Sequence, residues 1–286
     1  MNNQESAEIV KEIIKANVSV VYEDAAKASV RVVGKSLAQC VSLFTTPLGR
    51  MAEIFEKNIH RYIDKLDGLS EEEIVAPSTR ILVPILEKLR FTDEEKVADY
   101  YAEILATASQ KDRASRVMVT FIEILNRLSS DEIKILEYIS SPLNNVPIPK
   151  LTEDEVKKHN LDINIDYLNV TGSFPTIDIN LYNDKQSGFK ILHENFNCLH
   201  EYINLDTPEN VDFYIINLIS LGLFEKKFSN RFAVDKIYHH LENHEIVIAL
   251  KTKLEKNAEL KIKFDRGRVS ITHLGKKLLK LCSRKD

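Results

Sequence analysis

Histidine and cysteine residues are the side chains of this sequence whose spacing suits metal binding. His240 and His244 lie four positions apart, which places both rings on one face of a helix, and His193, Cys198 and His200 form a second short group. Such nitrogen and sulfur ligands are the ones that usually hold zinc. Neither group includes the glutamate of an HExxH motif. We therefore interpret these side chains as packing or exposed residues and predict no metal and no cofactor.

Motifs for catalysis are missing from the sequence. The glycines are isolated from one another, so no GxxxxGKS/T or GxGxxG loop is present, and there is no GxSxG turn. Cys40 lies in an apolar helical pattern, where a thiol is usually unreactive. Asp178, Asp184 and Lys185 have the side chains of a metal-dependent nuclease, but their spacing fits no such pattern and a surface turn explains them. We predict that the protein is not an enzyme.

A basic stretch near the C-terminus is the candidate for binding nucleic acid. Its members flank a predicted β-hairpin and are Lys251, Lys253, Lys261, Lys263, Arg266 and Arg268. Together they would neutralise phosphates, although lysines at alternate positions are also the ordinary exposed face of a strand. The preceding helix NVDFYIINLISL is acidic at its start and apolar along its length, whereas a base-reading helix presents Arg, Lys, Asn or Gln. Protein contact is therefore the favoured use of this domain.

An apolar helical segment covers 30–55 and is the candidate for contact with a membrane or a partner. One face of it carries Val30, Val33, Leu37, Val41, Phe44 and Leu48. Basic residues flank its uncharged middle, as in helices that lie on a membrane surface. Burial in the core of a helical bundle is the competing interpretation and the one we favour. Pro47 should kink or split the helix.

Composition describes an ordinary globular chain. At 286 residues, with 44% hydrophobic and 29% charged residues, it is long enough for two modest domains. The net charge of -4 gives no general attraction to a polyanion. Three widely spaced cysteines favour a reducing compartment, and the N-terminus lacks the pattern of a secretory signal. We expect a cytoplasmic protein, with a peripheral position at the inner face of the membrane as the alternative.

The first half of the chain is predicted to be helical. We expect a domain over 1–142, with amphipathic helices in 1–66 and helical hairpins in 70–142. Apolar residues at three- and four-residue steps predict a helix over 81–89, and Thr92 with Glu95 forms the pattern of a capping box that would start the next helix. Further helices follow over VMVTFIEILNRL and DEIKILEYIS.

The second half, 143–286, is predicted to be a winged-helix-like α+β domain, so the fold class is mainly α with this domain at the end. Alternation predicts strands around Ile163 and over 177–181, and GFKILHENFNCLHEYI is predicted as helix. Thr207 and Pro208 mark the start of a helix that Gly222 ends. A strand LFEKKF, a helical excursion, a hairpin turning at DRGR and a closing helix complete the domain.

Short patterns spread over most of the chain match one bacterial family. They are Pro84, Leu86 and Glu87; Tyr101, Ala102, Leu105 and Ala106; Phe121, Ile124, Leu125, Leu128, Ser129, Asp131 and Glu132; Asn217, Leu218, Leu221 and Gly222; Thr272, Gly275 and Cys282. In their order and spacing they resemble the Abi-alpha family, which is associated with abortive infection, a form of defence against phage. Where family members often have a His-Pro pair, this sequence has Met118 and Val119, which indicates that the motif is structural.

The resemblance implies a phage-defence protein, and we expect it to act non-enzymatically, through contacts with a protein partner, through self-association or at a membrane surface. A DNA-binding regulator that uses the predicted basic wing is the alternative.

Overall fold

The computed structural model describes residues 49–70, 72–141, 172–183, 188–228, 231–232, 236–254 and 259–282. This part of the chain is α+β, with many helices and a four-stranded antiparallel sheet. Two compact units are present, 1–130 with 278–286, and 131–277. The boundary expected near 142 falls where the chain is not described and stays a prediction. The apolar face of Val30, Val33, Leu37, Val41, Phe44 and Leu48 also lies outside the described residues.

The first unit contains four α-helices among its described residues. They are α1 (Gly49–Leu66), α2 (Thr79–Leu89), α3 (Glu95–Ala108) and α4 (Val119–Leu125), with a 3-10 turn over Ala114–Arg116. The apolar face predicted for α2 is buried, and almost every residue of α3 from Val97 onward is buried as well. The helical prediction for this region is confirmed, because its three- and four-residue periodicity is a local property of the sequence.

The predicted capping box at the start of α3 is wrong. Helix α3 has Glu94 as its N-cap, and no side chain caps it. The Thr92 hydroxyl instead donates to the Lys88 carbonyl at the end of α2, at 2.9 Å. Glu95 reaches across to α1 and pairs with Arg61 at 3.1 Å. In a connection this short, the threonine hydroxyl bonds a free carbonyl at the end of α2 rather than a free amide at the start of α3.

Buried polar contacts fix α1 against its neighbours. The Asn58 amide donates to the Leu89 carbonyl at 2.8 Å and to the Thr92 carbonyl at 2.7 Å, which satisfies two carbonyls at the end of α2. The Lys65 ammonium lies 2.9 Å from the carboxylate of Glu103, whose side chain is 4% exposed. These contacts make the packing of α1 specific, since each buried group would be costly without its partner.

The second unit combines helices with the sheet. Its elements are α5 (Ser130–Ser140), β1 (Ser173–Asn183), β2 (Phe189–Phe196), α6 (Val211–Ser220), β3 (Phe224–Lys227), α7 (Lys236–Glu242), α8 (Glu245–Leu254) and β4 (Leu260–Ile271). Helix α9 (His273–Cys282) begins in this unit, and its residues from 278 are counted with the first. Short 3-10 turns cover Leu199–Glu201 and Pro208–Asn210. The strand order is β2-β1-β4-β3, and every neighbouring pair is antiparallel. The predicted strand around Ile163 lies outside the described residues.

Two predictions for this unit are wrong. The segment Phe189–Phe196 is strand β2 rather than helix, because it pairs with β1 and Phe189 stacks on Tyr182 at 5.3 Å. No turn occurs at DRGR: β4 runs unbroken through it, with Gly267 opposite Thr176 and a φ outside the left-handed region. The hairpin that would form the wing is therefore a single strand. The helix before it, α6, and the strand β3 lie where they were predicted.

Asp131, in the first turn of α5, organises the approach to α6. Its carboxylate accepts the amides of Asp206 at 2.8 Å and Thr207 at 2.9 Å, and the hydroxyl of Tyr214 at 3.2 Å. Lys134 donates to the same group at 2.9 Å. Asp131 is 3% exposed, so these donors replace the water that a carboxylate would otherwise bind.

The residues around Gly275 form a second close junction. The Thr272 amide donates to the Leu223 carbonyl at 2.9 Å, and the Thr272 hydroxyl donates to the Gly222 carbonyl at 2.6 Å. The Gly275 amide in turn donates to the Thr272 hydroxyl at 3.1 Å. A Cβ at position 275 would lie 2.6 Å from the Leu223 carbonyl oxygen and 2.7 Å from Ile271 Cγ1. Only glycine allows this approach of helix to strand.

Replacing Asp131 with Asn should destabilise the protein by ~2–4 kcal/mol, because an amide nitrogen would face several buried donors. Burial raises the Asp131 pKa, but hydrogen bonds from Asp206 and Lys134 lower it, and the net pKa lies below its ordinary value of 3.8. The effect should be full above that value and shrink as the pH falls through the lowered pKa. Urea unfolding across pH measures it, with E209Q at an exposed carboxylate as the control; equal effects would contradict the assignment.

Replacing Gly275 with Ala should cost ~1–3 kcal/mol, because the new methyl group overlaps a backbone carbonyl and a buried side chain. Thermal unfolding of G275A and of the exposed neighbour variant K277A measures this. K277A should unfold at the wild-type temperature, whereas G275A should unfold several degrees lower, about 2–4 °C per kcal/mol for a chain of this size. A G275A protein as stable as K277A would show that the junction relaxes freely.

Candidate functional site

The strongest group of chemically active side chains lies where the chain leaves β2. Cys198 follows the end of that strand, and the 3-10 turn Leu199–Glu201 brings Glu201 round beside it. His240 comes from α7, and His244 comes from the turn between α7 and α8. We call these four residues, Cys198, Glu201, His240 and His244, the Cys198 cluster.

The carboxylate of Glu201 is the centre of the Cys198 cluster. His244 Nε2 lies 3.0 Å from one of its oxygens, and His240 Nε2 lies 3.8 Å from the other. The thiol sulfur of Cys198, a Glu201 oxygen and a His244 ring nitrogen all lie within 4.8 Å of one another. Sulfur, oxygen and imidazole nitrogen thus converge on a single point from two separate segments of the chain.

Hydrogen bonding sets the tautomer of the neutral His244 ring. Its Nδ1 accepts the Ile246 amide at 3.3 Å, so in the neutral ring the proton lies on Nε2 and is donated to Glu201. The Phe196 ring packs edge-on against His244 at 5.4 Å and against His193 at 5.2 Å. The two histidines therefore flank one aromatic side chain.

Ionisation in the cluster follows from burial and charge. Burial raises the pKa of the Cys198 thiol to about 12, and the negative charges of Glu201 and Asp212 act in the same direction. The thiol is protonated at neutral pH and is a poor nucleophile. Partial burial raises the pKa of Glu201, but the hydrogen bond from His244 lowers it, and the net pKa lies below its ordinary value.

A second network adjoins the cluster through Phe196. His193 Nε2 contacts the Asp212 carboxylate at 2.5 Å, and the Asn197 amide donates to the other oxygen of that carboxylate at 3.2 Å. Asn197 also accepts the Leu199 amide at 3.0 Å, which orients the turn that carries Glu201. The start of α6 and the end of β2 are joined by this network.

The structure brings together one residue from each of the two histidine and cysteine groups that the sequence suggested, and leaves the other members outside that close group. His244 and Cys198 meet although they are far apart in sequence, whereas His193 pairs with Asp212 and the described cluster does not include His200. Sequence reasoning missed Glu201. The signal that could have found it is its position three residues after Cys198, on the same side of a helical turn.

Three of the six basic residues of the predicted wing, Lys251, Arg266 and Arg268, bond to neighbours within the fold. Arg266 forms a bidentate pair with Glu242, at 2.6 and 3.0 Å, and the Lys251 ammonium donates to the Glu242 carbonyl at 3.0 Å. Arg268 donates to Ser173 at 2.9 Å. These three side chains are held by neighbours and do not project as a free phosphate-binding row.

The other three basic positions are exposed. Lys253 lies on α8, and Lys261 and Lys263 lie on β4. The Lys263 ammonium sits 4.4 Å from the centre of the Tyr182 ring, a cation–π contact on the sheet surface. Lys261 and Lys263 are exposed at alternate positions of β4, which is the pattern of an ordinary solvated strand face. This is the alternative to nucleic-acid binding that the sequence left open.

The nuclease-type carboxylate Asp178 is structural. Its oxygens lie 2.7 and 2.9 Å from the Lys226 ammonium, and one of them accepts the Asn195 amide at 2.8 Å. The pair is nearly buried, so each charge needs the other. Asp184 and Lys185 lie outside the described residues.

An apolar surface is present on α6. Phe213 is 70% exposed and Ile216, one turn later, is 40% exposed, while Val211, Ile215 and Leu218 form the buried face of the same helix. Large apolar side chains at such exposure often mark contact surfaces. Among the residues that the structure describes, no helix combines the length and the apolar character that crossing a bilayer requires.

Comparison with known proteins gives one match. The family model described as abortive infection alpha matches residues 52–282. Neither the curated proteins nor the solved structures gave a match.

His193 should titrate above its ordinary pKa of 6.5, because its hydrogen bond to Asp212 favours the charged ring more than partial burial disfavours it. Since the folded-state pKa is raised, this bond stabilises the fold most below pH 6.5, and the stabilisation is lost as the pH rises through the raised value. NMR titration of the His193 ring measures the pKa.

The substitution H193Q tests the same linkage by stability. Its cost in urea unfolding should be larger at about pH 5.5 than at about pH 8.5, and D212N should bring the His193 pKa down. A His193 pKa at or below 6.5 in the wild type would contradict the assignment.

Proposed function

Because the chain belongs to the abortive infection alpha family, we propose that it is a bacterial phage-defence protein that acts without catalysis, through contact with a protein partner or with a second copy of itself. The family match over 52–282 is the observation that carries the defence role. It spans elements of both compact units, so the proposal concerns the whole protein rather than one module.

The exposed face of α6 supports the contact mechanism. Phe213 and Ile216 lie one turn apart and leave an apolar surface in water, on the helix that a DNA-binding winged helix would place in the major groove. Apolar side chains read no base edges except a methyl group. Burial of aromatic side chains is, in contrast, a main source of affinity between proteins.

Partnered side chains support the non-catalytic part of the proposal. The Asp178 carboxylate pairs with the Lys226 ammonium. The Asp131 carboxylate accepts hydrogen bonds from backbone and side-chain donors. The Cys198 thiol has a raised pKa. The two carboxylates are held by fixed partners and the thiol is protonated, so these contacts support structural roles rather than those of a nucleophile or general base.

A membrane surface is the other contact we propose, through 30–55. The support is sequence pattern: an uncharged apolar face with Arg31, Lys35 and Arg50 at its margins. This mode places the protein at the inner face of the membrane. It is separable by experiment from the α6 mode, because the two surfaces lie on different segments.

Cells that produce the protein should show a lower plating efficiency for a sensitive phage, and F213D should restore plaque formation. In this variant the contact with the partner loses the aromatic ring and would have to bury a charge instead. The binding free energy should weaken by ~2–4 kcal/mol. The fold should be unaffected within ~0.5 kcal/mol, because Phe213 is an exposed position. Plaque counts, with circular dichroism of the purified variant, measure both.

The control is F91S, which replaces another exposed phenylalanine. It should defend as well as the wild type. Equal defence by F213D and the wild type would exclude the α6 face. Flotation with anionic vesicles decides the membrane mode: full-length protein that remains at the bottom of the gradient removes it. The defence role itself would be rejected if cells that produce the wild-type protein supported full plating efficiency for every phage in a broad panel.

A further inference from the structure

We propose that the Cys198 cluster is a zinc site, with Cys198, Glu201 and His244 as ligands and His240 as the fourth. The inference is independent of the proposed function, since it concerns what holds the second unit together. A bound zinc ion would explain why sulfur, oxygen and nitrogen donor atoms converge on one point in this part of the fold.

The chemistry of the donors selects zinc. One thiolate sulfur, one carboxylate oxygen and two imidazole nitrogens are the ligand types of tetrahedral protein zinc sites, whereas calcium and magnesium require oxygen ligands. With the thiol ionised, the two anionic ligands balance the two positive charges of the ion. The metal-bound cluster is therefore electroneutral, which suits a site beside the buried Cys198.

Distances between three of the four ligand residues, Cys198, Glu201 and His244, suit a tetrahedral ion, and His240 approaches the carboxylate of Glu201. Bonds of about 2.0–2.3 Å place the ligand atoms of a tetrahedron about 3.3–3.8 Å apart. The Nε2 atom of His240 is 3.8 Å from Glu201, that of His244 is 3.0 Å from it, and the three atoms contributed by Cys198, Glu201 and His244 span no more than 4.8 Å. As the fourth ligand, His240 would have to move closer to the other three, because the group within 4.8 Å does not include it.

Local structure preorganises the ligands in pairs. Cys198 and Glu201 are three residues apart in a 3-10 turn, and Asn197 fixes the start of that turn by accepting the Leu199 amide. His240 and His244 are four residues apart at the end of α7. Phe196 packs against the His244 ring and supplies an apolar wall. An ion here would tie the segment after β2 to the α7–α8 turn.

Zinc binding would move two protons. The Cys198 thiol loses its proton to solvent, and the His244 proton moves from Nε2 to Nδ1 so that Nε2 can bind the ion. The Ile246 amide then loses its hydrogen bond to Nδ1, which at 3.3 Å is long. One proton is released for each ion bound, so affinity should rise with pH.

Cobalt is the probe, because Zn²⁺ has no absorption of its own. Full-length protein, reduced and stripped with a chelator, should bind one Co²⁺ per chain and develop the near-ultraviolet thiolate-to-cobalt band and visible bands of a tetrahedral site. Added Zn²⁺ should displace these bands and raise the unfolding temperature. C198S should abolish the thiolate band, and E201Q and H240Q should each weaken binding about 10- to 100-fold.

Two controls match these variants. C282S removes a cysteine outside the cluster, and H239Q replaces the exposed histidine next to His240; both should bind like the wild type. Wild-type protein that binds no Co²⁺ would overturn the proposal, as would a thiolate band that survives in C198S. Because a failure of C198S to fold would remove the band for the wrong reason, E201Q gives a second test. Undiminished binding by folded E201Q overturns the site, and undiminished binding by H240Q overturns the fourth ligand.

Discussion

The buried carboxylate of Asp131 is the interaction on which the second unit depends. It belongs to α5, yet its donors come from the backbone before α6 and from the Tyr214 hydroxyl within α6. A buried carboxylate with several donors is stable in one arrangement only, since any displacement leaves groups without partners. The orientation of α6 follows from it. So does the exposure of Phe213 and Ile216, because Ile215 and Leu218 must turn inward.

The family pattern gains a physical meaning from these contacts. Asp131 holds the turn before α6, and the Asn217 amide donates to the Glu132 carboxylate at 2.6 Å. Thr272, Gly275 and Gly222 meet at the junction of β4, α9 and the turn after α6. These matched residues thus maintain a particular packing of helix against sheet. In this chain each of them has a structural role.

Local sequence signals predicted the helices well and the sheet only in part. Periodicity located α2 and α3, and start and stop signals located α5 and α6, because a helix makes its hydrogen bonds within itself. The segment of β2 was predicted as helix, and its pairing with β1 makes it a strand. Arg266 and Gly267 look like a turn in DRGR, yet pairing with β1 keeps their backbone extended. Long-range pairing overrode local preference in both places.

The candidate site shows the same division. The i, i+4 spacing of His240 and His244 was visible in the sequence, as was the group that contains Cys198. That the two groups converge on Glu201 depends on how α7 packs on the sheet, which spacing along the chain does not contain. Thr92 is a local example. Its sequence matches a capping box, but its hydroxyl donates to the carbonyl of Lys88 instead of capping α3.

The unbroken strand β4 has a consequence for how the protein is made. It lies between β1 and β3 and pairs with both, and its Ser270 meets Ser173 across 97 positions of sequence. Until the ribosome has released residues beyond 271, β1 has an open edge able to pair with other chains. Contacts between such distant residues also form slowly. A chain that stops before β4 would lose the strand that joins β1 to β3, so the second unit can fold only after β4 has been synthesised.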